Sequence, residues 1–129
     1  MIKMDKKLLL NNIDHLVLLI RDLKITEQFY SIFLGKPIHK DKFQIAYEIG
    51  NTKLFFAKSN RNIKFDKENI GLNHLAFGVS TINELKEFEN TLKKYKINNS
   101  NIKIDKYGKK PFIWFDDPDG IRLEFYLRN

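Results

Sequence analysis

Apolar and polar residues alternate along this chain with a spacing that changes twice in the same order. From Ile13 to Ile20, "IDHLVLLI" is a short apolar run of strand length. The stretch "RDLKITEQFYSIFLGKP" then switches to helical spacing: Asp22 can cap a helix, Phe29 and Phe33 lie four apart, and Gly35 and Pro37 stop it. Three strand-like runs follow, Pro37–Lys40, Phe43–Ile49 and Thr52–Lys58. After the polar stretch "SNRNIKFDKENIG" the order repeats. "LNHLAFGV" covers Leu72 to Val79 and aligns residue for residue with "IDHLVLLI", His74 on His15. A helix follows, with a capping box at Thr81 and Glu84 and a stripe of Leu85, Phe88, Leu92 and Tyr95. Strands Asn101–Lys106, Pro111–Phe115 and Ile121–Leu127 close the second copy. The pattern predicts an α+β fold of two tandem βαβββ modules, about 12–58 and 72–128, within one domain spanning 12–128.

Period two sorts the strand side chains onto two faces. Leu75, Phe77 and Val79 are large and share one face; His74, Ala76 and Gly78 share the other. In the last strand, Leu123, Phe125 and Leu127 oppose Arg122, Glu124 and Tyr126. The first copy is less clean, with Leu16, Leu18 and Ile20 opposing His15, Val17 and Leu19. The large faces are expected to pack on helices. The other faces then line a concave cup, where small neighbours leave room around a few polar side chains.

Composition narrows the function classes. Hydrophobic residues make up 43% of the chain and aromatics 13%, enough for a core without covalent staples. No cysteine is present, which excludes disulfides and thiolate metal sites and fits a reducing cytoplasm. The apolar run in "MIKMDKKLLL" is too short for an export signal, and no segment reaches transmembrane length, so a cytoplasmic protein without a membrane partner is expected. The net charge of +7 is scattered rather than gathered into a stripe interleaved with aromatics. That argues against a nucleic-acid partner and favours a small, anionic substrate. No phosphate loop, dinucleotide glycine motif or nucleophile elbow occurs.

His15, His74 and Glu124 are the candidate chemistry. Two neutral imidazoles and one carboxylate can hold a divalent ion and leave coordination positions open. The set carries one negative charge, so a bound ion keeps net positive charge and can polarise an oxygen. Arg122 and Tyr126 flank Glu124 on its face. They either bind a substrate carboxylate or phosphonate, or pair with an acidic neighbour and plug the cup, respectively. His39, among lysines, reads as solvent-exposed.

The duplicated units, with "IDHLVLLI", "LNHLAFGV" and "FDDPDGIRLEF", resemble the vicinal oxygen chelate superfamily over about residues 12 to 128. That superfamily includes glyoxalase I, fosfomycin-resistance thiol transferases, extradiol dioxygenases, methylmalonyl-CoA epimerase and bleomycin-resistance proteins. The resemblance implies a cupped eight-stranded sheet with helices on its outer face, usually in a homodimer. It also implies a divalent ion (Mn, Fe, Ni or Zn) on His15, His74 and Glu124. Aligning "GNTKLFFAKS" with "DGIRLEFYLR" puts Phe55 where glyoxalase-like members usually carry a second carboxylate. Glu48, one strand earlier, either replaces it as fourth ligand or base, or is a solvated strand residue. Fosfomycin enzymes usually run on past the last ligand, where this sequence ends at "YLRN". Extradiol enzymes carry a tyrosine where Trp114 stands. A glyoxalase-like lyase or isomerase is therefore the leading expectation, with a dioxygenase or thiol transferase as the alternative enzyme class. A binding protein that sequesters a drug or ligand is the non-catalytic alternative, and Phe55 and Trp114 would suit the apolar part of either kind of ligand.

Overall fold

The computed structural model describes residues 8–129. The heptapeptide "MIKMDKK", part of the N-terminal stretch too short in its apolar run for an export signal, lies outside them. The element order is β1 (His15–Ile20), α1 (Leu23–Leu34), β2 (His39–Lys40), β3 (Gln44–Ile49), β4 (Thr52–Lys58), β5 (Leu75–Val79), α2 (Ile82–Lys94), β6 (Lys103–Ile104), β7 (Pro111–Asp116) and β8 (Arg122–Leu127). This is βαβββ twice, as the repeat predicts. The eight strands are shared between two four-stranded sheets, ordered β1-β4-β3-β2 and β5-β8-β7-β6. In each, the first strand pairs in parallel with the last, and the remaining pairs are antiparallel. That topology brings the start of a module beside its end. Among the described residues no helix is long and apolar enough to cross a membrane.

Local signals end the helices where expected. Asp22 is extended and accepts the Ile25 N–H at 3.0 Å, and Gly35 leaves α1 with φ 75°. Thr81 Oγ1 accepts the Glu84 N–H at 3.1 Å and donates to its carboxylate at 2.9 Å. Leu85 and Leu92 are buried, whereas Tyr95, at the C-cap, drops off the predicted stripe and stays exposed. β2 and β6 are shorter than predicted, two residues each at the sheet edges.

One continuous core joins the modules. Tyr30 of α1 lies 4.1 Å from Phe56 of β4, centroid to centroid, while Phe33 of the same helix meets Phe115 and Phe125 of the second sheet at 5.5 Å each. Phe88 of α2 stacks on Phe125 at 4.2 Å. The helix-facing sides of both sheets are therefore buried together, and α1 stands against both.

The turn Asp117–Gly120 latches this arrangement. Asp117 Oδ1 accepts the N–H groups of Asp119 and Ile121 at 2.8 and 2.9 Å, and its Oδ2 accepts the Tyr30 hydroxyl at 2.6 Å. Arg21 donates to Asp119 Oδ1 at 2.8 Å and to the Pro118 carbonyl at 2.7 Å. Gly120 has φ 88°, and a Cβ there would come within 2.8 Å of the Phe65 carbonyl, so the linker packs directly on the turn. Burial pushes the Asp117 carboxyl above its ordinary range, against the pull of the Tyr30 and backbone donors.

Candidate metal centre

The face of the second sheet turned away from the core carries the polar side chains. Glu124 sits mid-strand on β8, paired with Ala76 of β5 on one side and Trp114 of β7 on the other. Tyr126, two residues on, faces Gly78 and Phe112. Ala76 and Gly78 keep the floor low, and a hollow of ≈ 200 Å³ beside it is lined by apolar groups including Ile13, Leu16, Leu54 and Leu75.

His74 immediately precedes β5, and parallel pairing of β5 with β8 carries it to Glu124. His74 Nε2 lies 3.7 Å from Glu124 Oε2, with side-chain exposures of 43% and 14%. The other ring nitrogen, Nδ1, is 2.8 Å from Asn73 Oδ1. Burial raises the Glu124 carboxyl above its usual range; His74 and Arg122 pull it down and Asp105 pushes it up. Arg122 is already engaged: its Nε donates to Asp116 at 2.6 Å, and its guanidinium lies 3.9 Å over the Trp114 ring. The Arg122–Asp116 contact is the acidic pair that the sequence left open beside a substrate-binding role. Tyr126 likewise donates its hydroxyl to Asp105 Oδ2 at 2.7 Å, and a Cβ on Gly108 would collide with that hydroxyl.

His15 occupies the matching place on the first sheet. Its Nδ1 is 2.7 Å from Asp14 Oδ2, and its ring meets Phe55 edge-on at 5.7 Å. Phe55 pairs with Val17 as Glu124 pairs with Ala76, so the phenyl ring holds the place of the carboxylate. Glu48 is exposed and pairs with Lys53, the counterpart of the Asp116–Arg122 pairing. Among the described residues, no three His, Cys, Asp or Glu side chains gather into a metal-binding group. One chain thus brings His74 and Glu124 together and keeps His15 and Glu48 on the other sheet. His39 is exposed and pairs with Asp41 at 3.0 Å, as its lysine-rich surroundings suggest.

The donor chemistry fits a divalent ion. A partly buried carboxylate faces an imidazole nitrogen, and the neighbouring Arg122 guanidinium is turned to Asp116. Three residues not singled out in sequence contact the candidate residues: Asp14 on the first sheet, and Asn73 and Asp105 on the second. The first two carried a signal, since each copy of the motif places a side-chain oxygen directly before its histidine.

A duplicated βαβββ fold, each module built on a four-stranded sheet with one helix, defines a class of proteins made of paired modules. The chain belongs to the Glyoxalase/Bleomycin resistance protein/Dioxygenase superfamily, whose family model matches residues 12–125. It is similar to the uncharacterized protein YaeR of Escherichia coli (strain K12), 26% identical over 127 residues, covering 91% of this chain and 96% of that one. Its fold resembles lactoylglutathione lyase from Agrobacterium tumefaciens, with a TM-score of 0.73, 19% identity and coverage of 91% and 93%. It also resembles the genomically encoded fosfomycin resistance protein FosX from Listeria monocytogenes, with a TM-score of 0.74, 17% identity and coverage of 94% and 96%.

Proposed function

We propose that this protein is a divalent-metal-dependent enzyme of the vicinal oxygen chelate type, a glyoxalase-like lyase or isomerase acting on a small oxygenated substrate. The observation that carries the reading is the half-built donor set: His74 Nε2 and Glu124 Oε2 face each other at 3.7 Å on an open sheet face. The partner subunit's His15 completes it in a homodimer. Two features support that pairing. β1 and β5 are both sheet edges, and the His15 face of β1 exposes Val17 at 54% and Leu19 at 64%, an apolar surface suited to cover by a second copy.

A bound Mn, Fe, Ni or Zn ion would supply the positive charge that polarises substrate oxygens. The chain's own residues do the rest. Glu124 and the histidines orient the centre. The Trp114–Arg122 stack and Phe55 wall the apolar part of the substrate. Tyr126, tied to Asp105, closes the floor, and Glu48 is the carboxylate available as a base on the first sheet. The test is metal content. Stripped protein titrated with Mn²⁺, Ni²⁺ or Zn²⁺ is expected to bind about one ion per chain, and His74→Ala to bind none. Stoichiometric metal retained by that variant overturns the reading.

One observation favours a second reading, a ligand-sequestering protein: among the described residues a single chain gathers only two donors, beside a largely apolar hollow. Tight binding of an aromatic ligand by metal-free protein, with no metal uptake, would establish it.

A further inference from the structure

The two histidines of the repeated strands share a contact that the fold does not require of either. His15 Nδ1 lies 2.7 Å from Asp14 Oδ2, and His74 Nδ1 lies 2.8 Å from Asn73 Oδ1. In both cases the partner is the residue immediately before the histidine. The means of holding that partner differ. At Asp14 the backbone is pinned: its carbonyl accepts the Lys53 N–H at 2.9 Å, and the Ile13 carbonyl accepts the Thr52 hydroxyl at 2.7 Å. At Asn73 the side chain is pinned, because its Nδ2 donates to the Lys67 carbonyl at 3.1 Å. The same contact is reached by two independent supports.

Donor and acceptor logic then assigns a proton. A carboxylate only accepts, so the imidazole nitrogen facing Asp14 must donate. The Asn73 amide is oriented by Lys67, whose carbonyl takes an N–H of the NH₂ group. The atom left facing His74 is Oδ1, which also only accepts. A neutral imidazole carries one proton, so at both sites it lies on Nδ1 and Nε2 is a bare lone pair. His74 Nε2 lies 3.7 Å from Glu124 Oε2, beyond hydrogen-bonding distance, so that carboxylate does not claim the imidazole proton. The third histidine shows the reverse: His39 Nε2 lies 3.0 Å from Asp41 Oδ2, so its proton is on Nε2 and its Nδ1 is bare. Free neutral histidine prefers the proton on Nε2, so the arrangement at His15 and His74 is imposed, not inherited.

We propose that Asp14 and Asn73 are positioning residues that lock His15 and His74 in the Nδ1–H tautomer and present both Nε2 lone pairs for coordination. The purpose of this lock rests on the metal reading above, but the lock itself can be measured without any metal. The two locks are unequal in charge, a carboxylate behind His15 and a neutral amide behind His74. His15 is therefore the stronger donor of the two.

The experiment is a long-range ¹H–¹⁵N correlation spectrum of the full, metal-free chain, recorded above the titration range of imidazole. Expected are protonated Nδ1 and bare Nε2 at His15 and His74, and the opposite pattern at His39. Asp14→Ala and Asn73→Ala each return their own histidine to the Nε2–H form, while an unchanged His39 signal reports an intact fold. Asp14→Asn, which keeps an acceptor oxygen, retains the Nδ1–H form. In parallel, Zn²⁺ affinity falls about 10–100-fold in each alanine variant. A native chain with Nε2–H at His15 or His74, or alanine variants whose tautomers do not move, overturns the proposal. Native tautomers as expected together with no Zn²⁺ binding would sink the metal reading and leave the assignment of Asp14 and Asn73 standing.

Discussion

Replacing Tyr30 by phenylalanine removes one oxygen atom from the joint that holds the two modules together. The ring stays: its packing on Phe56 at 4.1 Å involves only carbon atoms, and the site is fully buried. The loss is the hydroxyl that donates to Asp117 at 2.6 Å. Hydrogen bonds to charged groups contribute about 1.5–3 kcal/mol. Asp117 keeps two backbone donors, so the lower half of that range applies, about 2 kcal/mol. For a chain of 129 residues, at ~2.1 cal/mol/K per residue, this lowers Tm by roughly 7 °C. The pH dependence sharpens the test. Burial raises Asp117's folded-state pKa above its unfolded value, so the folded state binds more protons. Stability therefore falls as pH rises from the ordinary carboxylate range through the raised pKa. The Tyr30 donor holds that pKa down, so its removal steepens the fall and costs more at neutral than at acid pH. Urea denaturation of both proteins at neutral and acid pH measures this directly. A penalty below about 0.5 kcal/mol at neutral pH, less than a typical net hydrogen bond, or one that grows toward acid, would refute the reasoning.

Other perturbations bear on the open face. Glu124→Gln is expected to stabilise the metal-free protein, because a neutral amide replaces a carboxylate held at a desolvation cost, and to forfeit stabilisation by metal. Native protein with Zn²⁺ at one hundred times Kd should gain about 2.7 kcal/mol, and the variant none, as read by thermal denaturation with and without the ion. Phe55→Glu places a second carboxylate beside His15 and should raise metal affinity; calorimetry showing unchanged or weaker binding would count against Phe55 standing at a ligand position. Gly108→Ala drives a methyl group into the Tyr126 hydroxyl and should cost about 1–3 kcal/mol, which denaturant titration will show.

Much of the fold follows from local rules. The bounds of β4 match the predicted Thr52–Lys58, and Asp22 and Thr81 cap their helices, because periodicity and capping depend on neighbours within a few positions. The internal repeat marked His15 and His74 as equivalent, and the alternation of β8 put Glu124 on the face away from the core. Contacts between distant residues were not legible. "DDPDG" declares a turn, but nothing local says that Asp117 will accept a hydroxyl from Tyr30, 87 residues earlier. Nor does the sequence say that the β7–β8 register sets Arg122 against Asp116. Equivalence of His15 and His74 is likewise not adjacency, since their separation depends on how two complete modules dock through Phe33, Phe115 and Phe125.

That docking sets the central claim, a metal site made of His74 and Glu124 from one subunit and His15 from the other. It is tested most directly by mixing two inactive partners, His15→Ala and Glu124→Ala, and counting metal bound to the separated heterodimer. Each parent homodimer should bind no tightly held ion. In the heterodimer the Glu124→Ala subunit's His15 meets the other subunit's intact His74 and Glu124, so one site per dimer should return. A heterodimer that binds no more metal than its parents would contradict the account.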